Sequence, residues 1–303
     1  MAEPYRLLHA SDFHLSKVPY SAGSRHPSWL SKFKRYKLTG HDDAVLRAFA
    51  RFVYYYGLQR RLFDIALLMG DLATSGYRRD LQRAFDFLTA TPSNLGSPAW
   101  VDDNNEPTIA FFPRAAMPGN HDRYRRTPPL FMPGGTLFDK LFQAFWWAGQ
   151  GAQPWRVLRK RYTRPLAIVA ADFTLRANDS GKTFFVLPGW YGQGRVDQNV
   201  VRDLQTRTQD VRNYCTSPDI DLGEPAVVWA IHFDAAATDE TLKLLDSDSL
   251  VQAAAADNIR ILLCGHTHES KIKPLSPTTT AFVCGTTAQA NIGSSLDLSS
   301  TVN

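Results

Sequence analysis

Short apolar runs recur along the chain, and each is cut off by glycine or by a polar residue. Tyr5–Ala10 stops at Ser11-Asp12, Asp64–Met69 at Gly70-Asp71, and the stretch 108–118 at Gly119. Further on, Ala226–Ile231 stops at His232 and Ile259–Cys264 at Gly265-His266. Leu166–Phe173, Lys182–Leu187 and Thr279–Cys284 are runs of the same kind. Runs this short, bounded by turn formers, predict buried strands. Between them the period lengthens. Val45, Phe49, Phe52, Val53 and Tyr56 recur at three- and four-residue intervals, which predicts an amphipathic helix over 42–56, with Asp42 or Thr39 as its cap. Leu81, Ala84, Phe85 and Leu88 mark a second helix. Leu137, Phe138, Leu141, Phe142, Phe145 and Trp146 form a broad helical stripe that reads as core. Val200–Leu204 and Leu250–Ala256 lie in further helical stretches.

Strand then helix, repeated, with a strand-richer second half, predicts an α/β fold. Residues 91–107 and 127–136 are rich in turn formers and read as loops. Residues 17–40 lack periodicity and read as a long loop over the strand ends, and the polar tail 294–303 is expected to fray. The 303 residues suit one domain over 1–303, with loop insertions near 17–40 and 91–107.

Composition narrows the class. Hydrophobic residues make up 44% and charged residues 21%, ordinary for a globular protein with a sizeable core. Cys215, Cys264 and Cys284 are odd in number and unpaired in spacing, so no disulfide framework or zinc–thiolate motif follows, and a reducing compartment fits. Met1–Arg6 has no apolar leader core, and no run reaches the length of a membrane span, so the expected location is the cytoplasm. A net charge of +5 favours anionic partners, but no Lys/Arg block marks a nucleic-acid arm. Residues 29–38 interleave aromatics with Lys32, Lys34, Arg35 and Lys37; they read as a loop pinned by its aromatics, with peripheral membrane contact as the alternative.

The chemistry lies at the run ends. Asp12, His14, Asp71, Asn120, His232, His266 and His268 all follow an apolar run directly, where open α/β sheets carry their sites. Singly, each has a structural reading: a strand-end turn for Asp12 or Asn120, a satisfied core imidazole for His14 or His232. Gly265-His266-Thr267-His268 is sharper, because two histidines two apart after a strand share a face. Seven oxygen and nitrogen donors exceed the four that one tetrahedral zinc takes. They suit two cations sharing a carboxylate, and imidazole with carboxylate and no thiolate suits Mn, Fe, Zn, Co or Ni over Mg or Ca. Two such ions about 3.5–4 Å apart activate a water and hold both oxygens of an in-line displacement at phosphorus.

Asp12-x-His14, Gly70-Asp71, Gly119-Asn120-His121-Asp122, His232 and Gly265-His266-x-His268, in this order, resemble the calcineurin-like metallophosphoesterase superfamily over about Leu7 to His268. Gly70-Asp71-Leu72-Ala73 and the run Gly119–Tyr124 resemble its class III cyclic-nucleotide phosphodiesterase branch. The resemblance implies a four-layer αββα sandwich, two facing mixed β-sheets flanked by helices. It implies two divalent or trivalent metal ions, with Mn, Fe or Zn expected. Asp12, His14, Asp71 and His268 would hold the first; Asp71, Asn120, His232 and His266 the second, with Asp71 bridging. His121 would be catalytic, contacting the phosphoryl group or protonating the leaving oxygen. Protein phosphatases of the superfamily place an aspartate three residues after the bridging one to orient that histidine; here the position is Thr74, and Asp122 either substitutes in part or caps the helix that follows.

The expected function is dimetal-dependent hydrolysis of a small phosphoester, a diester or cyclic nucleotide first. Nuclease action and hydrolysis of a lipid-linked diester or pyrophosphate are the alternatives, and a non-catalytic scaffold ranks last because the ligand set is complete. Lys17, Arg25, His26, Arg123, Arg125 and Arg126 are candidate phosphate ligands, Arg123 foremost by its nearness to the site. His41 is expected as a capping or surface group, and Cys264 and Cys284 as small core residues. Neither the substrate nor the oligomeric state follows from the sequence.

Overall fold

A computed structural model describes residues 3–16, 41–89, 109, 114–124, 135–145, 155–174, 194–239 and 242–287. The apolar runs near the N-terminus form a parallel three-stranded sheet, β1 (Leu7–Ala10), β2 (Ile65–Met69) and β3 (Arg114–Met117), in the order β1-β2-β3. Leu7 pairs with Ile65, and Ala66 with Arg114. β2 is buried along its whole length, as its unbroken apolar sequence requires.

The second half builds a mixed six-stranded sheet from β4 (Trp155–Leu158), β5 (Leu166–Ala170), β7 (Ala226–Ala230), β9 (Ile261–Cys264), β10 (Lys271–Pro274) and β11 (Thr280–Val283), in the order β10-β11-β9-β7-β5-β4. Its central pairs are parallel and its edges, β4 and β10, antiparallel. Short strands β6 (Gly194–Arg195) and β8 (Leu244–Leu245) pair separately.

Alternation along β5 shows how the layers stack. Leu166, Ile168 and Ala170 join a core with both faces of β2 and with Leu46, Leu81 and Phe138. Ala167, Val169 and Ala171 join a second core with Val201, Leu204, Leu250 and Ala254. The first core is therefore shared by the two sheets, α1 (Asp43–Phe52), α2 (Arg78–Thr89) and α3 (Leu137–Leu141). The second lies under α4 (Gln198–Thr216) and α5 (Ser247–Ala256). This is an α/β fold of mixed sheets flanked by helices; the described strands of the smaller sheet are all parallel.

Asp42 caps α1, its carboxylate accepting from the Ala44 and Val45 N–H groups. The helix then loosens into a π-helix over Val53–Gln59 rather than running on as α to Tyr56. α4 is far longer than its apolar stretch suggested. α3 stops at Leu141, short of the six-residue stripe. Lys182–Leu187 and the loops at 17–40 and 91–107 lie outside the described residues, as does the tail. Among the described residues no helix is long and apolar enough to cross a membrane.

A single parallel bridge, Ser11 to Thr286, joins the two sheets just past the ends of β1 and β11. The carboxyl ends of all the parallel strands therefore face one edge, and the turns after β1, β2, β3, β7 and β9 meet there.

Candidate metal centre

At that edge the structure brings all seven predicted donors together. Among the described residues, one ligand atom each from Asp12, His14 and His268 lie within 4.8 Å of one another. The same holds for Asp71, His232 and His266, and for His14, Asp71 and His121. Asn120 joins the second group, its Oδ1 lying 3.1 Å from His232 Nε2. Asp71 belongs to groups on both sides.

The turns that deliver these side chains are unusual in their backbone. Asp12, His14, Asp71, His266 and His268 all sit at positive φ, at 58°, 49°, 50°, 76° and 58°. A non-glycine residue there is strained, and such strain gathers where a site demands it. Inter-turn main-chain bonds hold it in place: Asp12 N–H donates to Gly70 O at 3.1 Å and His14 N–H to Asp71 O at 2.9 Å. Gly119 is glycine for a local reason, since a Cβ there would collide with the Asp71 carboxylate and main-chain nitrogen.

Several buried polar atoms have no protein partner. Both ring nitrogens of His266 and Nδ1 of His14 lack a hydrogen bond, and Asp12 Oδ1 faces His268 Nε2 at 3.3 Å without hydrogen-bond geometry. His14 Nε2 and His268 Nε2 stand 3.1 Å apart, two nitrogens turned toward one another. Leaving such a group unsatisfied costs about 1–3 kcal/mol. A cation would take up the Asp12 oxygen, one nitrogen of His266 and the facing nitrogens of His14 and His268, so the residues present fit a metal pair.

The charges agree with that reading. Burial lifts the Asp71 carboxyl, but His232, His121 and His14 together hold it well below the usual carboxylate range; His268 and His232 together lower Asp12 against burial. Burial opposes protonation of His232, yet the Asp71 charge pushes it up to about 9, and Asp12 raises His268 against burial in the same way. Burial pushes His266 down to about 3 and drives His14 well below the ordinary histidine range. Each half thus pairs one imidazole shifted up with one shifted down.

Outer contacts fix the inner groups, as metal-binding side chains require. His232 Nδ1–H donates to Met69 O at 2.7 Å, which turns Nε2 to the site. Asn120 donates through Nδ2 to the Tyr124 hydroxyl at 2.7 Å, which turns its Oδ1 to the site. His121 Nδ1–H donates to the Thr74 carbonyl oxygen at 2.9 Å. The main chain of Thr74 therefore orients the histidine in place of the missing aspartate.

Asp122 neither substitutes for that aspartate nor caps the short 3-10 turn it belongs to. Its carboxylate accepts the N–H groups of Leu72 at 3.1 Å, Ala73 at 2.7 Å and Gly119 at 2.8 Å, stitching the turns after β2 and β3 together. Burial first, and then the Asp71 charge, push its carboxyl up to about 7 against those three bonds.

Arg123 corrects an expectation. Its guanidinium is buried, bonded twice to Asp139 at 2.8 Å and paired with Asp172 at 2.5 Å, so it locks α3 to the sheet and is spent for phosphate. Lys17, Arg25, His26, Arg125 and Arg126 lie outside the described residues. His41 is fully buried rather than on the surface, with Nε2 3.1 Å from Asp43 Oδ1 and Nδ1 accepting from Ser16 N–H. Cys264 is a core residue as expected, while Cys284 is only half-buried.

Tyr124 and Asp234 escaped the sequence reading. Asp234 is buried, accepts from Thr267 Oγ1 at 3.2 Å and pairs with Lys271 at 2.5 Å, which clamps the turn carrying His266 and His268. Its only trace was spacing, two residues after His232.

The sequence profile of the family described as "Calcineurin-like phosphoesterase" matches residues 5–270. The chain belongs to that family. This calcineurin-like phosphoesterase is a hydrolase, and its fold agrees with a solved structure. A dimetal phosphatase from Danio rerio is similar at a TM-score of 0.53 and 11% identity, covering 94% of this chain and 88% of that one. A phosphopantetheinyl hydrolase from Mycobacterium tuberculosis gives 0.45 and 12%, covering 93% and 90%. At 11% identity the likeness to the dimetal phosphatase is one of fold. No curated protein sequence matches the chain.

Proposed function

We propose that this phosphoesterase is a dimetal phosphodiesterase acting on small phosphoesters, cyclic nucleotides included. Asp12, His14, Asp71 and His268 would hold one cation; Asp71, Asn120, His232 and His266 would hold the other. The observation that carries the reading is the place of Asp71, within 4.8 Å of ligand atoms of His14 on one side and of His232 and His266 on the other. A carboxylate so placed can be shared by two ions. Two cations there would supply water activation and neutralise charge on the phosphoryl group. The nitrogen and oxygen donor set favours Mn, Fe or Zn.

The chain's own groups do the rest. His121 donates its Nδ1 proton to the Thr74 carbonyl oxygen, which fixes the ring; its Nε2 would contact the phosphoryl group or, in the doubly protonated form of the ring, give a proton to the leaving oxygen. Tyr124 and Met69 hold Asn120 and His232 in register, so little reorganisation is needed during reaction. The Gly70–Ala73 sequence supports the cyclic-nucleotide branch, and thiols without a disulfide at Cys215, Cys264 and Cys284 support a cytoplasmic setting.

The test is hydrolysis of bis-p-nitrophenyl phosphate with added Mn, beside a panel of monoesters, linear diesters and cyclic nucleotides. Diester turnover that vanishes in Asp71→Ala and His232→Ala is expected. Turnover of monoesters alone would overturn the diesterase assignment, and unchanged rates in both variants would overturn the site.

A further inference from the structure

The opposite ends of the same strands form a surface of different character. Segments 3–6, 60–64 and 159–164 lead into β1, β2 and β5 and lie together there. Asp64 N–H donates to Arg6 O at 2.8 Å, and Lys160 reaches Asp64 at 3.0 Å and Glu3 at 3.2 Å. These segments carry Arg6, Arg60, Arg61, Arg159, Lys160, Arg161 and Arg164 against Glu3 and Asp64, an excess of five positive charges. That equals the formal net charge of the entire chain, +5. All six arginines are exposed.

Apolar groups stand among them. Tyr162, in the turn between β4 and β5, is 80% exposed, with the Arg161 guanidinium 4.8 Å from its ring centre. Leu62, Phe52, Tyr55 and Tyr56 are exposed on the π-helix side. Phe52 packs on Phe63 at 5.7 Å, beside Asp64, which makes the aromatic group continuous with the basic one. A π-helix is a rare conformation that concentrates at functional positions, and here it displays Tyr55 and Tyr56. The surface is bounded: before β7 the same end turns acidic, with exposed Asp219, Asp221 and Glu224.

We propose that this basic, aromatic end docks on an anionic lipid bilayer. Arginines beside tyrosine, phenylalanine and leucine suit the headgroup boundary, where rings sit at the interface and each cation gains from anionic lipid. A nucleic-acid strand fits less well. Tyr56 lies 4.9 Å from both Phe52 and Tyr55, ring against ring instead of open as platforms for bases, and Leu62 offers nothing to stack on. Docked in this way, the protein turns its metal centre away from the lipid and draws substrate from solution. The proposal does not rest on the substrate class assigned above.

Co-sedimentation with phosphatidylserine-containing vesicles, against vesicles of phosphatidylcholine alone, tests it. Binding to the anionic vesicles only is expected, weakened by added salt. Partition should fall about five-fold for each of Arg60→Ser, Arg61→Ser and Arg161→Ser, and fall again in Tyr162→Ser. Thermal unfolding and hydrolysis of a soluble diester should be unchanged in all four. Equal binding to neutral vesicles, unchanged binding in the variants, or preferential capture of a labelled DNA duplex would overturn it. So would self-association without lipid that disappears in the same variants.

Discussion

The two ends of the parallel strands treat polar side chains in opposite ways. At the carboxyl ends, Asp12, His14 and His266 are buried beside one another at positive φ, each with a polar atom left without a hydrogen-bond partner. At the amino ends, Arg6, Arg60 and Arg161 are in water, and Tyr5 donates its hydroxyl to Leu158 O at 3.0 Å. The same strands supply both ends, so the difference is not one of local propensity. It lies in what each end gathers: one brings carboxylates and imidazoles together in the interior, and the other spreads guanidinium groups into water.

The contrast breaks most sharply at Asp71. Replacing it with alanine should lower hydrolysis about 10³-fold or more, because the carboxylate common to both groups goes with it. Arg161→Ser at the far end should leave the rate alone. Steady-state rates on both variants, with circular dichroism to show that they fold, check this; a loss of rate in Arg161→Ser would dissolve the distinction.

A second effect concerns protons. In the metal-free protein His232 titrates near 9, so protons compete with the cation it would bind. Apparent affinity there should rise about tenfold per pH unit from roughly 6.5 to 9, with one proton released per ion. The sign for stability runs the other way: a raised folded-state value stabilises the metal-free protein below about 6.5, and the contribution is lost as pH climbs through about 9. Titration calorimetry at several pH values in buffers of different ionisation heat would show both, and a flat affinity would refute the Asp71–His232 pairing.

Smaller still is Tyr124→Phe. It removes the hydroxyl that orients Asn120, and affinity for one cation should weaken about 10–100-fold. An unchanged value would mean that packing alone places the amide. The smallest effect belongs to the far end: Tyr5→Phe should cost about 1 kcal/mol in denaturant unfolding and nothing in rate.

The first of these contrasts was legible in the sequence and the last was not. β2 and β7 announce themselves because a strand buried on both faces needs an unbroken apolar run, and the residues that follow them stand out against it. β10 carries two lysines and lies exposed at an edge, so its pattern resembles a loop. α4 is mostly polar, with five buried residues in nineteen, and only its apolar stretch showed. The donors themselves were readable as a set, because seven oxygen and nitrogen ligands placed only at run ends have few other uses. Their supports were not. Thr74 acts through a carbonyl that every residue owns, and the left-handed backbone at His266 leaves no mark on residue choice. Arg123 looked free because its partners, Asp139 and Asp172, lie 16 and 49 positions away.

Five of the seven donors occupy a backbone shape that glycine or asparagine would adopt with less strain. Selection for folding and selection for hydrolysis therefore pull these positions in opposite directions. In a descendant with nothing left to cleave, drift should start at Asp12, His14, Asp71, His266 and His268, with asparagine and glycine as the early replacements. Asp122 and Gly119, which hold the turns together whether or not an ion is bound, should outlast them, so a retired copy of this enzyme would keep its frame after losing its contents.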